Sequence, residues 1–174
     1  MLFRSDVARS CALALGQLCT PYEDARSRHA AASKALTEAM HGHRDHQTRY
    51  FATIALGQIG GECNRGALLS ALRTGKRSLE QPWCALSLGL LAHDMLRTQE
   101  ATRPAQVELI GDELARKARE AKDPGALGAF AIALGLTRQS EMAAWMREKL
   151  LGQKAAAGFK GIKAGTDITD EVLA

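Results

Sequence analysis

The stretch Phe51-Ala-Thr-Ile-Ala-Leu-Gly-Gln-Ile-Gly-Gly61 decides how the chain is read. Three glycines closing an apolar run fit either a loop that cradles phosphate or the end of a tightly packed helix. The dinucleotide fingerprint needs GxGxxG directly after a strand. Here the order is GxxGG after a helical pattern, and the first of these glycines recurs elsewhere. Ala12-Leu-Ala-Leu-Gly16, Thr53-Ile-Ala-Leu-Gly57, Ala85-Leu-Ser-Leu-Gly89 and Ala131-Ile-Ala-Leu-Gly135 share one register. Leu15, Leu56, Leu88 and Leu134 precede the glycines, and Ala14, Ala55, Ser87 and Ala133 stand one place earlier. A phosphate loop does not recur four times in one domain. Small residues at equivalent places let helices approach closely, and Gly60 or Gly61 can supply a left-handed helix end.

The glycines are 41, 32 and 46 residues apart, the lengths of helical hairpins with varied loops. Between them, residues 23–40, 64–73, 104–122 and 141–151 carry apolar residues at spacings of three and four, so each predicts a further helix. Thr20-Pro21-Tyr22-Glu23 and Ser78-Leu-Glu-Gln81 read as capping boxes, and Asp123-Pro124 and Thr102 before Pro104 as helix starts. Composition agrees. The chain has 174 residues, 46% of them hydrophobic, dominated by Ala and Leu with Val and Ile sparse, which disfavours strands.

The run Thr48-Arg49-x-x-Ala52-x-x-Ala55-Leu56-Gly57-x-Ile59 resembles the second-helix signature of HEAT repeats, in particular the short HEAT-like or PBS-lyase type. Val7, Cys11, Ala14, Leu15, Gly16 and Leu18 match it with the arginine shifted to Arg9. Asp45 and Asp123 fall at the family's acidic place, twelve residues before a glycine. The resemblance implies an all-α fold, an α-α superhelix (solenoid) of about four to five helical hairpins. Residues 1–151 form the expected array, and 152–174 a degenerate repeat, cap or frayed tail. The chain opens within a second helix, so it reads as a piece of a longer array. Alternatively, it pairs with itself through an apolar N-terminal helix.

The candidate sites follow from clusters of chemically capable residues. His41, His43, Asp45 and His46 could ligate a divalent metal, or form a polar loop with Asp45 capping the next helix; the loop reading is preferred. One HEAT-like enzyme family holds two irons through His-Glu pairs, and this sequence has no His-Glu dipeptide. Arg49, Arg65, Arg73, Lys76 and Arg77, with Arg44, form a basic region diluted by Glu62 and Glu80. HEAT-like DNA glycosylases grip DNA on a basic face, and phosphate contacts need several cations on one surface. Trp83 and Trp145 are expected in the core. Cys11 and Cys84 lie in apolar patterns and are expected buried, and no CxxC pair suggests zinc. Asp112 with Arg116 and Glu113 with Lys117 are expected to pair on an exposed helix face.

With a net charge of +4, no secretory leader and no membrane-length apolar run, the chain reads as cytoplasmic, with reduced thiols. The favoured function is a non-enzymatic scaffold binding a protein or peptide on the inner solenoid face, with no cofactor. The alternatives are a nucleic-acid-binding solenoid and an accessory or lyase-type enzyme subunit.

Overall fold

The computed structural model describes residues 2–75, 79–98 and 104–156, and among these there are α-helices and one 3-10 turn but no strand. The helices are α1 (Leu2–Leu18), α2 (Arg28–Gly42), α3 (His46–Ile59), α4 (Glu62–Thr74), α5 (Glu80–Thr98), α6 (Ala105–Glu120), α7 (Pro124–Leu136) and α8 (Ala143–Ala156). The chain divides into Met1–Arg138, which holds α1 to α7, and Gln139–Ala174, which holds the turn Ser140–Met142 and α8. No helix among the described residues is long and apolar enough to cross a membrane.

In the first unit α1 packs on α3, α3 on α5 and α5 on α7. α2 packs on α3, α4 on α5 and α6 on α7. The repeated register explains the first set of contacts. A Cβ placed on Gly16 would lie 2.8 Å from Ala55 Cα, one on Gly57 2.5 Å from the Ser87 carbonyl oxygen, and one on Gly89 2.8 Å from Ala133 Cα. Each glycine therefore meets the small residue two places before the next glycine. Gly135 differs, with no neighbouring atom within 4 Å of a Cβ there.

The leucines just before the glycines build the core. Leu56, Leu88 and Leu134 are fully buried. Removing such a side chain from water contributes roughly 1.5–3 kcal/mol each. α6 buries Val107, Ile110, Gly111, Leu114, Ala115 and Ala118, a helical stripe, and keeps its charges outside. The residue three before each glycine lies about 160° around the helix from the core leucine. It is aliphatic in all four helices and incompletely covered: Leu13 and Ile132 are exposed, Ile54 and Leu86 half-buried.

Several expectations need correction. The second helix starts at Arg28 rather than near Glu23. Asp24 accepts from the Arg26 N–H in a local turn, and Ser27 caps the helix by accepting from the Ala30 N–H. The Thr20 box does not form: the Thr20 N–H, which Glu23 would accept from in such a box, donates to His29 Nδ1 at 3.1 Å instead. Cys11 is exposed, because α1 turns Ala12 and Gly16 toward α3 and carries its next-door residue off that face; Cys84 is buried. Trp83 and Trp145 are half-buried. Gly60 and Gly61 have φ of 70° and 84°, with ψ of −157° and 166°. This is glycine-only territory, but extended rather than the left-handed helical region. Glu113 pairs with Arg73 across from α4 and with Arg116, which also binds Glu120. Lys117 lies 3.7 Å from Glu120. The reach of Arg73 into α6 explains why Glu113 does not follow the simple i,i+4 rule. The caps at Ser78 and Thr102 lie outside the described residues, whereas Asp123 caps α7 with Pro124 opening it.

The glycine contacts make an unequal pair of substitutions. Gly57→Ala should lower unfolding free energy by roughly 1–3 kcal/mol, since its Cβ meets backbone that cannot swing away. Gly135→Ala should be neutral or gain up to about 1 kcal/mol from helix propensity. Urea unfolding of the two variants checks this, and equal losses would contradict it.

Candidate functional site

The polar loop between α2 and α3 is organised by one carboxylate. Asp45 caps α3 by accepting from the Thr48 N–H and hydroxyl, both at 2.8 Å on Oδ2. From α1, Arg9 donates Nε to the same oxygen at 2.9 Å and Nη2 to Oδ1 at 2.8 Å. This is a side-on, bidentate arginine–carboxylate pair. The Arg9 hydrogen bond holds the Asp45 carboxyl well below the usual carboxylate range, with help from Thr48 and against partial burial. Arg9 also reaches Asp6 through Nη1 at 3.0 Å.

The histidines of this loop do not converge on Asp45. His43 Nδ1 accepts from the Asp45 backbone N–H at 3.1 Å, while His41 and His46 are exposed. Among the described residues no group of three or more His, Cys, Asp or Glu stands together to hold a metal ion. The acceptor positions of Asp45 are taken by Arg9 and Thr48.

Next to this loop is the most informative side chain. Arg49, one turn into α3, is only 6% exposed. Its Nη1 donates to the His43 carbonyl at 2.7 Å. Its Nε is buried with no acceptor. Arg49 lines a cavity of about 360 Å³ where α2, α3, α4 and α5 meet, together with Met40, His41, Tyr50, Thr53, Glu80 and Cys84 among others. Tyr50 stacks on Trp83 of α5 with ring centroids 5.2 Å apart and planes at 6°. The Thr53 hydroxyl donates to the Arg49 carbonyl at 2.8 Å. Burial, and second the charge of Glu80, push the Cys84 thiol up to about 12.

The basic residues do not form one free surface. Arg49 is buried, Arg65 stands 3.6 Å from Glu62, and Arg73 grips Glu113 through Nε and Nη2 at 3.0 and 2.6 Å. Arg44 is exposed. Lys76 and Arg77 lie outside the described residues. In the second unit Lys149 stands 5.8 Å over the Trp145 ring. Sequence reading grouped Arg49 with surface cations. The signal that it is different is its place in the signature, inside the apolar frame of Ala52, Ala55 and Leu56.

No family model matches the chain, and no solved structure does. A short stretch is similar to the DNA-directed RNA polymerase subunit beta of Granulibacter bethesdensis, 76% identical over 29 residues, which is 17% of this chain and 2% of that subunit. The same subunit of Gluconobacter oxydans is 68% identical over 28 residues, 16% of the chain and 2% of the subunit. The chain thus spans about one fiftieth of the relatives it matches.

Two measurements follow from this chemistry. The folded Asp45 carboxyl titrates below its unfolded value near 3.9, so its contribution to stability is complete above that pH and drains away as pH falls through the folded value. Arg9→Gln should therefore lower the melting temperature at pH 7, and the gap from the parent should narrow below about pH 4. A constant gap down to pH 2 would assign the loss to packing instead. With a thiol reagent at pH 8, the exposed Cys11 and Cys63 should react at least ~100-fold faster than Cys84, which reacts on unfolding.

Proposed function

We propose that Met1–Arg138 is a HEAT-like α-solenoid that serves as a non-enzymatic scaffold, binding a protein or extended peptide along the face of α1, α3, α5 and α7. The observation that carries this reading is the aliphatic row Leu13, Ile54, Leu86 and Ile132. It repeats at one register on four helices that pack in chain order, on the side turned from the core leucines. Isolated exposed aliphatics are ordinary, but a row held in register offers a continuous apolar track. Phe51, three residues before Ile54, is half-buried one turn along the same side of α3 and widens the track there. The exposed Val7 and Leu18 on α1 also support self-association through that helix.

Nucleic-acid binding has less support. The sequence pI is about 9.0, but Arg65 and Arg73 are held by acids and Arg49 is buried. An enzymatic role as an accessory or lyase-type subunit has less support, since its basis is the repeat class alone. The polymerase similarity is too short to bring that activity here.

A photo-crosslinking amino acid at position 86, compared with one at the exposed Leu109 of α6, tests the docking face. Crosslinks to the same protein from positions 54 and 86, lost in an Ile132→Glu variant, are expected. Crosslinks from position 109 alone would place the interaction elsewhere and sink the reading.

A further inference from the structure

Each small residue that a glycine presses on belongs to a stripe of its own helix, formed with the residues seven and three places before it and four after. On α3 the stripe is Thr48, Ala52, Ala55 and Ile59, and on α7 it is Ala126, Phe130, Ala133 and Thr137, all buried. On α5, Cys84, Ser87 and Leu91 are buried likewise. The same places on α1 hold Val7, Cys11, Ala14 and Leu18, and all four are exposed, Val7 at 57% and Leu18 at 75%. α1 meets α3 by another side, with Ala12 buried and Gly16 against Ala55. Its receiving stripe is therefore open among the described residues. The pressing half of the contact is open on α7. A Cβ on Gly135 would meet no atom within 4 Å, nor would one on Gly128, two turns earlier on the same side. Gly128 and Gly135 are exposed, with Ala131 half-buried between them. The two open halves lie at the two ends of the packing row α1, α3, α5, α7.

We propose that a second copy of this chain joins these halves: α1 of one copy packs on α7 of another, with Ala14 seated on Gly135. The occupant is fixed by continuity with the contacts inside the unit. Gly16, Gly57 and Gly89 each receive the residue two places before the next glycine, and Ala14 is that residue for Gly16. Gly135 has no side chain to hold the helices apart, so the backbones can approach as they do at Gly89 and Ala133. Val7, Cys11 and Leu18 then become covered as Thr48, Ala52 and Ile59 are. Burial of three apolar side chains and a close backbone approach together favour the contact. The two surfaces are different, so the interface is heterologous. Each added copy leaves one α1 stripe and one α7 face open, and growth runs head to tail. This rests on the self-association through α1 already proposed, and adds the face that receives that helix.

Sedimentation velocity of the full chain under reducing conditions tests the contact. The parent should form species whose mass grows with concentration. In them Cys11 should lose its reactivity toward a thiol reagent while the exposed Cys63 keeps it, a comparison that needs no variant. Ala14→Glu blocks one half and Gly135→Glu the other. Both positions are exposed, so each variant should keep the parent's circular dichroism and melting temperature. Each variant alone should sediment as a monomer. An equal mixture should give a species of twice the monomer mass, because the intact α1 of Gly135→Glu still fits the intact α7 of Ala14→Glu. A mixture that stays monomeric, or either variant that still pairs alone, overturns the contact. Pairing by Gly135→Glu alone would mean that α1 meets a second α1, which keeps self-association and loses this partner face. A parent that is monomeric at every concentration overturns both. Crosslinking from positions 54 and 86 reads the docking face separately, so its failure leaves this result standing.

Discussion

The contact of a glycine with a small residue on the next helix is the constraint on which the first unit depends. It occurs between α1 and α3, α3 and α5, and α5 and α7, with Ala55, Ser87 and Ala133 as the partners. Backbone meets backbone there, so the helices cannot slide or rotate without opening a gap or a clash. The register fixed in this way accompanies full burial of Leu56, Leu88 and Leu134, with Leu15 half-buried on the first helix α1. It leaves the aliphatic residue three places before the glycine on the opposite side. One local choice of residue size thereby sets both the core and the open face.

Polar chemistry is added at the helix ends, where backbone groups need partners. Asp45 answers two needs at once, the open Thr48 N–H at the start of α3 and the guanidinium of Arg9. Among the described residues Arg49 is held by the carbonyl of His43, with its Nε left without an acceptor. Arg9 is thus a saturated arginine and Arg49 an unsaturated one, on two packed helices of similar sequence.

The helices were legible because their apolar residues recur with the helical period around an invariant register, and because Asp45 and Asp123 are strong caps. The start of α2 was not, since Thr20, Asp24 and Ser27 are all able to accept from nearby backbone N–H groups and sequence alone does not rank them. The exposure of Cys11 was hidden for a different reason. α1 reads as apolar on most sides, and only its packing against α3 through Ala12 and Gly16 decides which side is covered. Gly135 shares the motif of the other three glycines and differs only in its neighbours, which no local pattern encodes. Arg49 could be found as part of a repeat signature, but its lack of an acceptor depends on residues from α2, α4 and α5 that meet only in the fold. The HEAT-like likeness itself remains a proposal resting on the signature and on the order of helix packing.

The double duty of Asp45 has an evolutionary consequence. Asn could keep the cap while losing the charge, and Glu could keep the charge while misplacing the cap. Drift at position 45 is thus limited by two unrelated requirements, and drift at position 9 by one of them. Homologous chains should change these two positions in concert, with the pair of residues behaving as a single inherited character.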